Sequence, residues 1–420
     1  MEKSKKPKIR FKGFTDDWEQ RKLADLLTER NQQAPMSDEY PLMAFIANEG
    51  VAPKGDRYDR SALVTDTVNK LYKKTEIGDF IYSSNNLETG SIGLNKHGKS
   101  CISPVYSIFE PTGIADSDFL GRRLVRKDFI NAMVKWRQGV IYGQWRIHES
   151  DFLKIEILVP SVEEQRKIGA YLDQIDNLIT LHQRKLDKLI NVKKSMLEKM
   201  FPKQGSTVPE IRFSGFTNDW EQREFVEIFD CTIPNNTLSR SELSYDEGSI
   251  LNVHYGDILI KYGSVLDAHK FEIPRVPNKK IEDFRGSLLR PGDIVIADTA
   301  EDETTGKACE IGSLFGNSIV AGLHTMVARP NIEIASGYLG YYLNSNAYHC
   351  QLLPMMQGIK VLSLSRANVK KTVLKLPKST KEQKLIANYF IQLDELITLH
   401  QCELEKLQNI KKSMLEKMFV

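Results

Sequence analysis

One stretch of the chain matches the pattern of a phosphate-binding loop. Residues 93–100 read GLNKHGKS, which fits G-x-x-x-x-G-K-[ST]. Such a loop holds phosphates only when a helix follows it, because the free amides at the helix N-terminus bind the anion. Here β-branched and aromatic residues follow, and Pro104 stands four residues after Ser100. This context predicts a strand, so we do not expect nucleotide binding or hydrolysis at the loop.

Other residue types capable of catalysis do not form a recognisable pattern. The eight histidines lack His-Glu-x-x-His spacing, and the five cysteines lack metal-type spacing. The chain contains no Asn/Asp-Pro-Pro-Tyr/Phe tetrapeptide and no Gly-rich loop of the type expected in a DNA adenine methyltransferase. We therefore expect no catalytic residue, no metal site and no cofactor site in this chain.

Charge and hydropathy limit the remaining classes of protein. The net charge is only +3 over 420 residues, so binding to nucleic acid would depend on local clusters of Lys and Arg. No apolar run approaches the roughly 18 residues of a membrane span, and the first residues lack the apolar core of a signal peptide. We expect a cytoplasmic protein with two or more domains.

The elements that would position functional residues occur twice. Residues 7–21 (PKIRFKGFTDDWEQR) and 209–223 (PEIRFSGFTNDWEQR) are identical at twelve of fifteen positions. Residues 165–201 and 383–419 are identical at 24 of 37 positions. Each half therefore contains a short repeat block, a region that differs between the halves, and a long repeat block.

Both long repeat blocks are predicted to be helices that pair with each other. A Ser-x-x-Glu capping box precedes each block, at residues 161–164 and 379–382. Apolar residues then recur with a spacing of about 3.5, which is typical of a coiled coil. The two apolar seams consist of Ile168, Leu172, Ile175, Ile179, Leu186, Leu189, Met196 and Met200, and of Ile386, Phe390, Leu393, Ile397, Leu404, Leu407, Met414 and Met418. His182 and Lys193 interrupt the first seam and His400 and Lys411 the second, and we interpret the histidines as polar residues that set the register. We expect the helices to pair antiparallel within one chain.

The regions that differ, at about 22–158 and 224–375, contain short β-like runs, turns and short helices. In each, an apolar run follows a Gly-Asp turn, at 78–82 and 292–296, and helical stretches are predicted at 128–135 and 338–343. The sequence predicts an α+β protein with an internal pseudo-two-fold repeat, in which two mixed α/β domains are separated by two long antiparallel coiled-coil helices. The expected boundaries are 1–158, 159–206, 207–375 and 376–420.

Along essentially its whole length the chain resembles the specificity subunit of type I restriction–modification systems. The resemblance rests on the duplicated helices introduced at 160–165 and 377–383, the paired Phe-x-Gly-Phe-x-x-x-Trp blocks at 11–18 and 213–220, the Gly-Asp strands, and the Gln-Gly pairs at 138–139 and 357–358. It implies two target-recognition domains that each read one half of a split DNA site, with the helices as a ruler between them. It also implies two adenine-N6 methyltransferase subunits and restriction motor subunits as partners, to which S-adenosylmethionine, ATP and Mg²⁺ would belong.

Polar and basic loops of each domain are the candidates for contact with double-stranded DNA, because such side chains bind phosphates and base edges. In the first domain we expect contacts from Asn85, Asn86, Lys96, His97, Lys99, Gln138, Tyr142, Gln144 and Arg146. In the second domain we expect contacts from Lys307, Gln357, Lys360, Ser363, Ser365 and Arg366. The acidic run after Asp298 would accept from cytosine amino groups or form a solvated loop. Residues Arg122, Arg123, Arg126 and Lys127 would form a phosphate-facing patch or a solvated helix start.

Repeated residues that face outward are the candidates for contact with the partner subunits. Thr180 and Gln183 recur as Thr398 and Gln401, although exposed positions tolerate substitution at little cost. Trp18 and Trp220 are candidate anchors, because aromatic residues often dominate interface energy, with core packing as the alternative. A scaffold that binds only proteins remains the alternative function, and it accounts for the helices but not for two dissimilar domains with basic loops.

Overall fold

The first half of the chain alternates short strands with short helices and ends in a long helix. The computed structural model describes residues 5–53, 70–141 and 144–420, without the side chains of residues 140–144. The elements of this half are β1 (Glu19–Lys22), α1 (Leu23–Leu26), β2 (Leu27–Glu29), β3 (Gln33–Ala34), β4 (Ala44–Ile46), β5 (Gly50–Ala52), β6 (Tyr72–Thr75), β7 (Phe80–Tyr82), β8 (Ile92–Leu94), β9 (Ser100–Ile102), β10 (Ser107–Pro111), α2 (Ser117–Leu124), α3 (Lys127–Val134), β11 (Gln138–Ile141), β12 (Gln144–Arg146), α4 (Glu149–Phe152), β13 (Glu156–Val159) and α5 (Val162–Lys199).

The second half follows the same plan. Its elements are β14 (Glu221–Glu224), α6 (Phe225–Ile228), β15 (Phe229–Asp230), β16 (Ile250–Val253), α7 (Tyr255–Ile260), β17 (Val265–Leu266), β18 (Arg275–Val276), β19 (Ile294–Ala297), β20 (Thr299–Ala300), β21 (Ala308–Ile311), β22 (Ser318–Ala321), β23 (Thr325–Pro330), α8 (Tyr338–Leu343), α9 (Asn346–His349), β24 (Leu362–Ser363), α10 (Arg366–Val369), β25 (Val373–Leu376) and α11 (Thr380–Lys417). Short 3-10 turns lie at Arg240–Glu242, Ile281–Phe284 and Leu353–Met355.

Each half contains a small sheet in which the strand after the Gly-Asp turn is an inner strand. In the first half the order is β2-β10-β7-β8, and in the second it is β15-β23-β19-β21-β17. In both halves the strand of the short repeat block pairs antiparallel with the strand that precedes the long helix, as β1 with β13 and β14 with β25. The two halves therefore share a frame although their domain sequences differ.

The chain divides into two units, and each unit uses both long helices. One unit comprises Met1–Gln183 with Cys402–Val420, and the other comprises Arg184–Gln401. In the first unit the core joins domain residues such as Trp18 and Phe119 to Met418 and Phe419 at the end of α11. In the second unit the core joins Trp220 and Tyr338 to Phe201, which follows α5.

The long helices run antiparallel in each unit. In the first unit Asp176 of α5 binds Lys411 of α11 at 2.6 Å, and His182 of α5 lies 3.1 Å from Glu403 of α11. The residue numbers increase along α5 while those of the contacted residues decrease along α11, so the helices are antiparallel. In the second unit Lys193 lies 2.5 Å from Asp394. The sixteen seam residues are all buried or half-buried, which confirms the apolar pattern. The lysines that interrupt the seams bind carboxylates of the opposite helix.

Local predictions agree with these elements in several places. Strand β9 begins at Ser100, the last residue of the GLNKHGKS stretch, so the loop lacks the helix that a phosphate-binding loop requires. The predicted short helices at 128–135 and 338–343 correspond to α3 and α8. Among the described residues, no helix is both long enough and apolar enough to cross a membrane.

Candidate nucleic-acid interface

In the first unit the structure brings the two predicted DNA-reading segments together. The loop after β7 contacts the β11–β12 hairpin, although about sixty residues separate them in the chain. The Asn85 side-chain oxygen accepts a hydrogen bond from the backbone N–H of Trp145 at 2.6 Å. The Ser84 hydroxyl accepts from the N–H of Ile147 at 3.0 Å. Arg137 also binds this loop, because it donates to the Ser84 carbonyl at 3.2 Å and to both carboxylate oxygens of Glu88.

The outer face of this junction carries an exposed aromatic ring and an exposed guanidinium. The side chain of Arg146 is 68% exposed, and its guanidinium lies 4.0 Å from the carboxylate of Glu149. Trp145 is 43% exposed, and the Arg137 guanidinium lies 5.9 Å from its ring centroid. Aromatic faces and guanidinium groups are both suited to contact bases and phosphates. Trp145 was not among the predicted residues, although it stands between two of them.

The other predicted residues of this unit differ in how free they are to reach DNA. Asn86 and His97 are exposed. Lys96 binds Asp118 at 3.2 Å and Asp173 at 2.8 Å, so its charge is directed at helix α5. Lys99 binds Glu39 at 2.5 Å.

The remaining three are Gln138, Tyr142 and Gln144. Gln138 donates to Asp151 at 2.8 Å. Gln144 is the first residue of β12, and its side chain is not among those that the structure describes. Tyr142 lies outside the described residues altogether. Arg146 is therefore the basic residue among these predictions that the structure leaves most available to DNA.

The second unit also joins the two equivalent segments, but it does so through the backbone. Strand β20, in the loop after β19, pairs antiparallel with β24, so that Thr299 stands opposite Ser363. The N–H of Leu364 donates to the carbonyl of Asp298 at 2.8 Å. Gln357 and Ser363 exchange backbone hydrogen bonds of 3.0 and 2.8 Å, which closes a hairpin over residues 358–362.

The tip of this hairpin projects into solvent. Ile359 is fully exposed and Val361 is half exposed, with the exposed Lys360 between them. Gly358 has a φ of +124°, and a Cβ there would lie 1.9 Å from the carbonyl oxygen of Val361. Only glycine therefore fits this turn, which explains the second residue of the Gln-Gly pair.

Several predicted residues of the second unit have structural roles. The Lys307 ammonium donates to the carbonyl of Leu259 at 2.8 Å, and burial lowers the pKa of Lys307. Ser365 caps α10 by accepting from the N–H of Asn368. Arg366 donates to the carbonyl of Cys231 at 3.1 Å.

Two residues that sequence reasoning missed lie beside the β20–β24 pair. The His324 ring lies 3.4 Å from the carboxylate of Asp298, and its centroid lies 5.3 Å from that of Tyr255. Since 69 positions separate these rings in the chain, no local pattern could have joined them. The acidic run begins at this cluster, where Asp298 binds Thr299 and His324.

The prediction that Trp18 and Trp220 are surface anchors is wrong. Their exposed fractions are 1% and 2%. The Trp18 ring packs against Phe119 at 5.7 Å, and the Trp220 ring packs against Phe201 at 6.3 Å. Each indole is surrounded by the end of a long helix and by its own domain, so the alternative of core packing is the correct one.

The predicted partner-facing residues on the helices are exposed. Thr180, Gln183, Thr398 and Gln401 all lie on the outer side of α5 or α11. Each threonine hydroxyl donates to the carbonyl four residues earlier, Thr180 to Asp176 and Thr398 to Asp394. Exposed leucines stand beside them, with Leu178 and Leu181 on α5 and Leu396 and Leu399 on α11. The same apolar and polar surface is therefore present once in each unit.

Comparison with known proteins agrees with this architecture. Residues 15–191 and 217–409 match the family described as type I restriction modification DNA specificity domain. The chain is 24% identical over 419 residues to the type I restriction enzyme MjaVIII specificity subunit of Methanocaldococcus jannaschii, and the match covers 95% of this chain and 91% of that one.

A solved structure shares the fold. The crystal structure of a type I restriction–modification system S subunit from M. genitalium matches with a TM-score of 0.54 and 15% identity, over 99% of each chain. The HsdS subunit from Thermoanaerobacter tengcongensis matches with a TM-score of 0.45 and 17% identity, over 96% of each chain. The two family matches cover most of the sequence, one in each half. The chain thus belongs to the family of type I restriction–modification DNA specificity subunits, which recognise DNA sequence.

Proposed function

We propose that the chain reads a bipartite, asymmetric DNA target, one half-site with each unit. The observation that carries this proposal is the repeated junction between two distant segments, a loop after a Gly-Asp strand and a hairpin that starts at Gln-Gly. The equivalent segments meet in both halves, but the exposed side chains at the junction differ. Trp145 and Arg146 face outward in the first unit, and Ile359 and Lys360 do so in the second. Two different surfaces on one frame suit two different half-sites.

The long helices are proposed to act as the spacer between the half-sites, as an antiparallel coiled coil. Ion pairs between α5 and α11 occur in each unit and support this role. On this proposal the recognition domains are contained in residues 1–158 and 207–375, and the helices with their linker form residues 159–206 and 376–420.

The exposed, repeated helix surfaces are proposed as docking sites for two copies of an adenine-N6 methyltransferase subunit. The matching residues Thr180 and Thr398, each with two exposed leucines nearby, support a pair of equivalent sites. Restriction motor subunits would join this complex. S-adenosylmethionine, ATP and Mg²⁺ would be bound by those partners.

The experiment that tests the proposal is a map of adenine methylation in cells with and without this chain. We expect one two-part motif to lose methylation when the chain is removed. Replacement of residues 22–158 by the equivalent region of a related subunit should change one half of the motif only. A change in both halves, or in neither half of a correctly folded complex, would contradict the assignment of one half-site to each unit.

Two further measurements separate this proposal from a scaffold that binds only proteins. The purified complex should bind random DNA with an affinity that falls steeply with salt, because binding releases counterions from phosphates. Its mass should correspond to one copy of this chain and two of the methyltransferase. Binding to DNA that is absent at low salt would favour the scaffold, and a stable one-to-one assembly at saturating partner would exclude two docking sites.

A further inference from the structure

In each unit a carboxylate of one long helix binds a lysine of the other. Asp176 lies 2.6 Å from Lys411 in the first unit, and Asp394 lies 2.5 Å from Lys193 in the second. The repeat places Asp176 and Asp394 at equivalent positions, and also the two lysines. The lysines are the residues that interrupt the apolar seams. Polar residues at such positions are best known for fixing the register of paired helices.

A third side chain reaches each carboxylate from the recognition domain. The guanidinium of Arg122 on α2 lies 2.9 Å from Asp176, and it also binds Asp173 at 2.5 Å. In the second unit the hydroxyl of Tyr341 on α8 donates to Asp394 at 2.8 Å. Each cluster thus joins three elements, namely both long helices and one domain helix.

Arg122 and Tyr341 occupy the same place in the repeated frame. The side-chain oxygen of Gln165 accepts from the N–H of Asp116 at 3.0 Å, and that of Gln383 accepts from the N–H of Ala335 at 2.9 Å. The two glutamines are equivalent in the long repeat block. Arg122 and Tyr341 each stand six residues after the backbone amide that these glutamines hold. The sequences agree with this correspondence, because residues 117–124 read SDFLGRRL and residues 336–343 read SGYLGYYL, which places Arg122 opposite Tyr341.

The two clusters differ in chemistry. In the first unit Lys96 extends the cluster by binding both Asp118 and Asp173, and these charges line a groove of about 800 Å³ between the domain and the helices. In the second unit the Tyr341 ring packs against Phe390 with centroids 5.1 Å apart, and the Lys193 ammonium lies 5.7 Å from the Tyr341 centroid. The first contact is ionic, and the second is aromatic as well as polar.

Ionic contacts of this kind contribute more to geometry than to stability. The side chains of Asp173, Asp176 and Lys411 are about a third exposed, so water and salt weaken their attraction to partners. Arg122 is only 11% exposed, and its planar guanidinium must face both aspartates at once. That requirement fixes where α2 sits along α5.

We propose that Arg122 and Tyr341 are positioning residues that hold each DNA-reading surface at a defined place along the helix pair. They thereby set the number of base pairs that the complex accepts between the two half-sites. This proposal rests on the proposed bipartite target. It also predicts that the two units respond differently to salt. Salt weakens the ionic cluster of the first unit and leaves the aromatic packing of the second intact.

The functional test compares Arg122→Ala, Arg122→Tyr and the wild-type chain in the complete methyltransferase complex. Binding is measured on DNA in which the gap between the mapped half-sites is changed by one base pair. We expect the wild type to prefer its natural gap by about tenfold or more, because a shifted half-site loses at least what one mismatch costs. Arg122→Ala should reduce that preference to within about threefold. Arg122→Tyr, which introduces the residue used at the equivalent place in the second unit, should retain it.

Lys135→Ala, an exposed change in the same domain, is the control and should keep the wild-type preference. Tyr341→Phe removes only the hydroxyl that binds Asp394, so it should relax the gap preference less than Arg122→Ala and remain well folded. If Arg122→Ala and Tyr341→Phe both keep the wild-type gap preference, these residues do not set the spacing.

A second test needs no DNA and therefore separates this proposal from that of the bipartite target. A spin label on the exposed Cys402 and another on Ser150→Cys, with Cys350→Ser, report a distance within the first unit. Arg122→Ala, or high salt in the wild type, should broaden the distance distribution, whereas Arg122→Tyr should stay narrow in high salt. The positioning role would be overturned if the distance distribution stayed narrow in Arg122→Ala and in the wild type at high salt, as it does in Arg122→Tyr. Broadened distributions without any two-part methylation motif would overturn the bipartite target instead.

Discussion

Arg212 donates two hydrogen bonds to the buried carboxylate of Glu382, through Nε at 2.6 Å and through Nη2 at 2.9 Å. The same two-point contact joins Arg10 to Glu164 in the first unit, with both distances at 2.7 Å. Each contact links a short repeat block to the first turn of a long helix. The short block supplies the arginine of this contact and the long block supplies the glutamate. The contact therefore explains why the two blocks occur together in each half.

Neutralising Glu382 should destabilise the second unit. Glu382→Gln keeps the side-chain volume but leaves the Arg212 charge, only 12% exposed, without its anion. We expect a loss of about 3 kcal/mol in the free energy of unfolding, at the lower end of the range for breaking a buried pair. Urea unfolding measures this loss. Glu19→Gln, at an exposed pair, is the control and should change stability by less than about 0.5 kcal/mol.

A charge in either apolar seam should also destabilise the protein. Ile175 is 5% exposed and Leu393 is 7% exposed, and both pack in the cores of their units. Ile175→Asp or Leu393→Asp buries an unpaired carboxylate, at a cost on the order of 3–5 kcal/mol. Thermal unfolding followed by circular dichroism checks this. Wild-type stability in either variant would mean that the helices do not pair through these seams.

Glu310 gives the second unit a dependence on pH. It is 2% exposed and accepts backbone hydrogen bonds from Gly337 and Gly340 at the start of α8. Burial raises the pKa of Glu310 from 4.5 to about 7, and the backbone N–H groups oppose this rise. Since the folded-state pKa exceeds the unfolded one, the contribution of Glu310 to stability is complete below pH 4.5 and is lost as the pH rises through 7.

Glu310→Gln should therefore flatten the pH dependence of unfolding. The wild type should lose up to about 3 kcal/mol more than the variant between pH 4.5 and pH 8, because one pKa unit corresponds to about 1.4 kcal/mol. Denaturant unfolding at several pH values measures the difference. The exposed Glu333→Gln should follow the wild type. Parallel curves for Glu310→Gln and the wild type would show that Glu310 titrates normally.

Arg146 and Lys96 should differ in their effect on DNA binding. Arg146 is exposed at the loop–hairpin junction, whereas two aspartates hold Lys96. Arg146→Ala should weaken binding by about 1–3 kcal/mol if the guanidinium contacts a base, or reduce the salt slope by about one if it contacts a phosphate. Lys96→Ala should change affinity much less. Equal losses in a titration of labelled DNA would show that the ion pairs of Lys96 open on binding.

The frame of the fold was predictable because its signals are periodic and local. The 3.5-residue seams, the Gly-Asp turns and the repeated blocks all depend on residues close together in the chain. Helices α5 and α11 begin within three residues of the predicted capping motifs. The capping boxes themselves were only partly correct. Ser161 accepts from the N–H of Glu164, but the Glu164 carboxylate binds Arg10, 154 residues away.

The candidate site was predictable at the level of segments and not of residues. Both loop–hairpin pairs were identified from composition, and the structure joins each pair. Which lysine faces solvent could not be read from composition, because Lys96 and Lys307 are engaged by residues distant in the sequence. The basic run that includes Arg122 and Arg126 was expected to face phosphate or solvent. Instead, Arg122 binds α5 and Arg126 binds the Leu415 carbonyl of α11.

The packing of Met418 and Phe419 in the first core affects the order of folding. Met418 and Phe419 pack with Trp18, and the N–H of Ile9 donates to the carbonyl of Lys417 at 3.0 Å. The second unit, in contrast, is the continuous stretch Arg184–Gln401. Domains commonly fold in the order in which they leave the ribosome. In this chain the first unit can complete its core only after Met418 and Phe419 have emerged, and these residues follow the whole of the second unit. The unit whose synthesis begins first is therefore completed after the other unit has been synthesised in full.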